Sequence, residues 1–396
     1  MRILVAHEAA DSAGGAEAYL AAVIPELRRR GHSVAAVHHR RRSRRAPVSW
    51  CDAAEWTAGI EEGGLTEGVR RVAEWNPDAC FSNNMGPLDV EAELLHRWPV
   101  VKMMHGYFGT CVSGLKTQHY PTPHACGRSF GPACLALYGP RRCGRLALTD
   151  MVRGYTWAER QRSLFTKYAA VAVPSRHMRS EYERNGVPVD HLEVLPLFST
   201  IAPSDRAATS APDGSVVFIG RMTTLKGGDV LVRAVAQAAQ STARRVRLVM
   251  MGDGPQRLEW MELASSLGVD ATFPGWLAPA DRDAVLSTAA LLAVPSIWPE
   301  PFGLVGLEAA SFGVPAVAFD SGGIRDWLRH GESGLLVDPA HGARGLALAI
   351  ERMLGDGQLR RRMGELAIAA AREMSVAAHI DRLEVVLARA AGSRTC

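Results

Sequence analysis

The sequence predicts an α/β chain of two doubly wound halves, each a parallel sheet covered by helices. Three observations predict it. Short apolar runs recur and read as buried parallel strands, with stretches of helical pattern between them. Glycine-bearing turns join several of these strands to the following helix. The alternation stops at residues 196–214, a stretch rich in Pro, Ser, Ala and Asp without periodicity, and then restarts. The 396 residues are enough for two or three domains, and with 47% apolar residues a core is easily buried.

In the first half, residues 2–7 read as a buried strand, followed by the loop D-S-A-G-G-A-E and a helix over 16–30. Gly31 ends that helix, and S-V-A-A-V starts the next strand. The G-x-G-x-x-G spacing is absent, so this is not a dinucleotide fingerprint, but Gly14 and Gly15 let a ligand approach the backbone. Strands are expected at 79–82 and 100–104. The second leads into H-G-Y-F-G-T-C, which places His105 at the carboxyl end of a strand, where open α/β sheets hold ligands. Residues 106–145 are irregular and carry Cys111, Cys126, Cys134 and Cys143, with His119 and His124 nearby. Four thiols suit zinc, but the spacings are wide and contain no C-x-x-C, so packed reduced thiols are the expectation. A helix over 155–168 and a strand–turn–helix in V-A-V-P-S-R-H-M-R-S close this half.

The second half opens with a strand at 215–219 and the turn G-R-M-T-T-L-K-G-G-D. A helix to 239, a strand at 247–251 and the turn G-D-G-P follow. Next come a helix ending at Gly268, a short strand at 272–274 and a helix over 279–288. Asp281, Arg282 and Asp283 are expected to open that helix on the side of the sheet away from any site. An apolar run at 289–294 then leads into P-S-I-W-P-E-P-F-G-L-V-G-L-E-A-A-S. Strands at 314–319 and 334–337 complete the sheet, and 343–391 is helical with breaks near Asp356 and Ser375. In the stretch 295–311, Glu300 sits in a loop and Glu308 within the helix that follows. Helical side chains lean toward the N-terminus. Glu308 is therefore expected to point toward Glu300 and the N–H groups of Phe302, Gly303 and Leu304. Carboxylates accept from sugar hydroxyls and a helix N-terminus attracts anionic oxygen, so the stretch suits a polyhydroxy ligand carrying phosphate.

The net charge of +4 is small for this length and argues against nucleic acid. Basic residues cluster locally at Arg40, Arg41, Arg42, Arg44 and Arg45; a solvated loop is the plain reading, an anionic acceptor or peripheral contact with a membrane surface the sharper one. The N-terminal apolar run is too short for a secretory signal, and no stretch reaches transmembrane length. A cytoplasmic protein with mostly reduced cysteines is expected.

Together these segments resemble the retaining glycosyltransferases of family 4, which have the GT-B fold of two Rossmann-like domains facing a central cleft. The matching pieces are G-G-A-E, V-P-S-R with N-G-V-P, I-G-R-M-T-T-L-K-G, G-D-G-P, E-P-F-G-L-V-G-L-E, G-V-P-A-V and S-G-G. The resemblance implies an acceptor-binding domain over 1–198, a nucleotide-sugar domain over 199–375 and a helix over 376–396 that crosses back. It implies that Arg221 and Lys226 bind the diphosphate, that Glu308 takes the ribose hydroxyls, and that Glu300, with Phe302 and Gly303, holds the donor hexose. Gly14, Gly15, Gly252 and Leu304 complete the donor set, with the base beside Gly275, Trp276 and Leu277. His105 matches the family's histidine near the reacting sugar. No cofactor or metal is implied; a UDP-sugar is the co-substrate. Asn83, Asn84, Tyr107, Phe108 and His119 are placed near the acceptor by position alone. Two departures stand out: P-L-F-S-T replaces the usual P-N-G-V-D, and Asp326 replaces a glutamate. A GDP-mannose donor, a sugar-nucleotide epimerase and a non-catalytic binding module are the alternatives.

Overall fold

A computed structural model describes residues 1–10, 14–40, 49–203, 214–242 and 245–393. Arg41, Arg42, Arg44 and Arg45, and residues 11–13 of the first glycine loop, lie outside them. The chain forms two compact units: Met1–Lys116 with Gly127–Pro196 and Val376–Cys396, and Thr117–Cys126 with Leu197–Ser375. The division at Pro196 falls beside the boundary expected at 198. Part of the cysteine-rich insertion, expected wholly in the first domain, groups with the second unit.

The strands of the first half of the chain are β1 (Arg2–Ala9), β2 (Ser33–Arg40), β3 (Thr57–Gly59), β4 (Ala79–Ser82) and β5 (Val100–Met103). Then come β6 (Thr117–Gln118) and β7 (His124–Ala125), a short antiparallel pair, followed by β8 (Ala170–Val173) and β9 (Leu192–Val194). The first unit's sheet runs β3-β2-β1-β4-β5-β8-β9, parallel throughout. Ile3, Leu4, Val5 and Ala6 are wholly buried because β1 is paired on both edges and covered on both faces. The order reverses between β1 and β4, so the loops after these two strands part and leave a crevice.

The helix expected over 155–168 spans Leu148–Ser163 instead. Its first turns carry exposed Leu148 and Val152, which blur the amphipathic stripe. The insertion is not structureless: the helix Ala133–Tyr138 packs with Val112, Phe130 and Ala158 in a small core of its own.

The helix Val376–Gly392 belongs to the first unit and packs on the helix Gly15–Arg29. Arg30 Nη1 holds Asp381 at 2.5 Å and Glu384 at 2.8 Å. His379, 3% exposed, donates from Nδ1 to the Pro196 carbonyl at 2.8 Å and accepts at Nε2 from the Tyr19 hydroxyl at 2.7 Å. Burial pushes its pKa down to about 4. Below the free histidine value of about 6.5 the unfolded chain takes a proton that the folded ring refuses, so stability falls as pH drops. Thermal melts are expected to lose up to about 1.4 kcal/mol per pH unit from this ring between pH 6.5 and 4. His379→Gln should flatten that slope.

The second unit's main sheet has β10 (Val216–Ile219), β11 (Arg247–Met251), β12 (Asp270–Gly275), β13 (Leu291–Val294), β14 (Ala316–Phe319) and β15 (Gly334–Val337). It runs β12-β11-β10-β13-β14-β15, again parallel, with its reversal between β10 and β13. Val216 and Phe218 pack to one face with Leu231, Trp260 and Ile350, while Val217 packs to the other with Leu286 and Leu307. That alternation is what a strand covered by helices on both faces requires. No helix among the described residues is long and apolar enough to cross a membrane.

Candidate functional site

In the second unit the site grows from the loops after β10 and β13, the two strands that flank the reversal. The β10 loop ends in a single tight turn, Thr224–Lys226. The β13 loop is stitched to it: the N–H groups of Ile297 and Trp298 both donate to the Leu225 carbonyl, at 2.9 and 3.1 Å. Gly227 makes this possible. Its φ is +65°, and a Cβ there would lie 2.1 Å from the Pro295 carbonyl oxygen. The stitching brings Lys226 Nζ to 2.5 Å from Glu300 Oε1 and to 4.8 Å from the centre of the Trp298 ring. Glu300 is only 5% exposed, so the ammonium offsets much of the cost of burying its charge. From behind, Gly323 N–H donates to the Glu300 carbonyl at 2.7 Å and Ser321 Oγ donates to that of Trp298 at 2.8 Å.

Glu308 lies on the short helix Val305–Ser311. The Trp327 indole donates to the Phe302 carbonyl at 2.7 Å, and its ring lies against Gly306 where any Cβ would clash. Glu308 is held by a neighbour that the sequence reading placed elsewhere. Arg282 Nη1 lies 3.3 Å from Glu308 Oε1, and Arg282 Nη2 is 2.8 Å from Asp283. The D-R-D segment therefore reaches the site side of its helix, contrary to expectation. Burial raises the Glu308 pKa, opposed by Arg282 and reinforced by Asp283.

Arg221 is exposed. Its loop is anchored by hydrogen bonds from Gly220 N–H to Met251 O, 3.1 Å, and from Met222 N–H to Asp253 O, 2.8 Å. Gly252 permits the approach: at φ +122° its Cβ would sit 2.0 Å from the Gly220 carbonyl oxygen. Gly303 has φ +91°, Phe302 is buried, and Leu304 immediately precedes the helix. Trp276 is 71% exposed, whereas Leu277 packs into the core. The unit thus presents two carboxylates, each matched to a base from another element, beside an exposed arginine loop. Such a set can bind hydroxyls and an anion together.

In the first unit the crevice between β1 and β4 is a cavity of about 640 Å³, with His7, Glu8, Glu17, Asn84, Phe108 and Trp157 among its lining. Gly14 also lines it, and Gly15 starts the following helix. His105 Nε2 bonds to Asn83 Oδ1 at 2.8 Å, and its ring meets Tyr19 edge-on at 5.2 Å. Burial, reinforced by the neighbouring Lys102 ammonium, pushes the His105 pKa down to about 3. Three of the acceptor positions read from sequence fall away from the cavity: Asn83 is wholly buried beneath His105, and two others lie elsewhere. Tyr107 is wholly buried and bonds His177 at 3.1 Å, because its side chain turns inward. His119 sits in the hairpin segment that groups with the second unit. Cys111, Cys126, Cys134 and Cys143 are free thiols, and no metal-holding cluster of His, Cys, Asp or Glu is found among the described residues. Arg282 was the residue missed from sequence; only a basic side chain on the helix preceding β13 hinted at it.

Residues 205–369 match the family Glycosyl transferases group 1. A protein of Nocardia farcinica named D-inositol 3-phosphate glycosyltransferase is 37% identical over 216 residues, 50% of this chain and 48% of its own length. One of the same name from Rhodococcus jostii is 39% identical over 168 residues, 39% of this chain and 37% of that protein. The chain spans about half or less of the length of these curated relatives. Among solved structures, Anabaena Alr3699/HepE in complex with UDP aligns with a TM-score of 0.70 at 20% identity, covering 98% of this chain and 100% of that one. WaaG, described as a glycosyltransferase involved in lipopolysaccharide biosynthesis, aligns at 0.66 and 16%, covering 97% and 98%. These likenesses, with two parallel sheets in the chain itself, establish the GT-B fold.

Proposed function

We propose, from the match of residues 205–369 to the group 1 glycosyl transferases, that this chain moves a hexose or N-acetylhexosamine from a UDP-sugar to an acceptor hydroxyl with retention of configuration. The observation that carries this is the Lys226–Glu300 pair at the sheet reversal of the second unit. Arg221 and Lys226 would meet the diphosphate and offset the charge that develops as the glycosidic bond breaks. Glu300 would hold donor hydroxyls, and Glu308 the ribose, with Arg282 orienting the Glu308 carboxylate. The C1–O bond to the β-phosphate breaks, C1 bonds to the acceptor oxygen, and the hydroxyl proton leaves with UDP. Positive side chains at the diphosphate make a divalent metal dispensable in this reading. The structures solved with UDP and with UDP-glucose support the choice of nucleotide, and the names of the curated relatives support a cyclitol acceptor.

A donor panel with UDP-glucose, UDP-N-acetylglucosamine and GDP-mannose tests it. Release of UDP in excess chelator is the expected outcome; release of GDP alone would replace the donor. Glu308→Ala is expected to weaken UDP binding by about 1–3 kcal/mol in calorimetry. Unchanged affinity would remove Glu308 from the ribose.

A further inference from the structure

The helix Leu148–Ser163 of the first unit carries a second apolar stripe beside the one that packs inward. Met151, Tyr155 and Ala158 join the small core of the insertion. Leu148 and Val152, four residues apart and so on one side of the helix, meet solvent instead, 69% and 48% exposed. Leu146, two residues before the helix, is 69% exposed as well. The segment that presents them is pinned on both sides. Cys143 N–H donates to the Tyr138 carbonyl at 3.0 Å. A Cβ on Gly144 would lie 2.4 Å from the Tyr138 hydroxyl, and one on Gly154 would lie 2.5 Å from the Val112 carbonyl oxygen. Large aliphatic side chains held outward so close together mark an interaction surface.

The same stretch is basic. Residues 141–153 hold Arg141, Arg142, Arg145 and Arg153 against one acid, Asp150, a net charge of +3. Arg142, Arg145 and Arg153 are exposed. An anionic lipid surface satisfies both features: aliphatic side chains enter the headgroup layer while guanidinium groups meet lipid phosphates. A nucleic acid would set its phosphates against leucine. A stable protein partner needs about 800 Å² on each side, and three aliphatic side chains within residues 146–152 supply only a fraction of that. We propose that residues 141–153 dock the first unit on an anionic lipid surface. Trp157 and Gln161, farther along the same helix, line the cavity described above. Trp157 stands about 14 Å beyond Leu148 at the helical rise of 1.5 Å per residue, so docking would hold the cavity near the headgroups.

The test is sedimentation of the whole protein with phosphatidylcholine vesicles, with and without phosphatidylglycerol. Binding to the anionic vesicles is expected, weakening as salt rises. Leu146→Ser with Leu148→Ser should lower the partition coefficient by at least about tenfold, since two leucine side chains no longer leave water. Arg145→Gln with Arg153→Gln should lower it by about 30-fold, roughly fivefold for each charge removed. All four positions are exposed, so both variants should melt with the unaltered protein, which separates lost docking from lost folding. No binding, equal binding to neutral vesicles, or binding unchanged in the leucine variant would overturn the proposal. A leucine-dependent dimer in sedimentation without lipid would also overturn it and assign the patch to a second copy of the chain. None of these outcomes bears on UDP binding, so the transferase reading stands or falls separately.

Discussion

Lys226→Ala is expected to lower kcat/KM for the UDP-sugar by about 10²–10³, the usual loss when one preorganised charge-stabilising group is removed from a transition state. The geometry complicates a simple deletion. Lys226 also neutralises Glu300, which is 5% exposed, and removing one member of a buried pair can cost about 3–5 kcal/mol of stability. The Lys226 side chain keeps 26% exposure, so solvent reaches the pair and the stability loss should fall below that range. The double variant Lys226→Met with Glu300→Gln separates the effects. It carries no orphaned charge, so its melting temperature should recover toward that of the unaltered protein, while turnover stays lost. Turnover recovering along with stability would show that Lys226 matters only for folding.

Gly322→Ala should be among the most damaging single methyl groups in the second unit. Gly322 has φ +67° and ψ −131°, a conformation left almost entirely to glycine. Its Cβ would lie 2.3 Å from the Glu300 carbonyl oxygen and 2.5 Å from the Glu300 nitrogen. Both contacts are with backbone, so no side chain can swing aside; the loop bearing Glu300 must move. A loss of about 3 kcal/mol corresponds to a fall of roughly 6–12 °C in Tm for a unit of this size. Turnover by whatever folded protein remains should also drop, because Glu300 leaves Lys226. A variant with unaltered Tm and kcat would mean that the S-G-G segment does not set the position of Glu300.

The fold was legible in the sequence because its signals are local. Apolar runs such as Leu291–Val294, glycines at strand ends and the break after Pro196 each stand within a few residues of what they specify. The pairing partners were less so. Lys226 and Glu300 are 74 residues apart, and only the resemblance to family 4 set them at one ligand. Arg282 and Glu308 are 26 apart, and which way Arg282 faces depends on how its helix sits on the sheet, which periodicity over nine residues does not fix. Tyr107 was misplaced for a similar reason: it follows a strand at the ligand-bearing end, yet its ring points into the core. The insertion stayed opaque because its small core joins Val112, Phe130, Tyr138 and Ala158 without any repeating interval.

The helix Val376–Gly392 makes the second unit an interruption in the chain of the first. A fragment ending before Val376 would retain every strand of both sheets but lack the partner of Tyr19 and Arg30. Such a fragment should leave the second unit able to assemble and the first one with an uncovered apolar helix face, prone to aggregate. The two units are therefore unequal as pieces: all six strands of the second unit's main sheet lie on one stretch, Leu197–Ser375, whereas the first must be spliced from three.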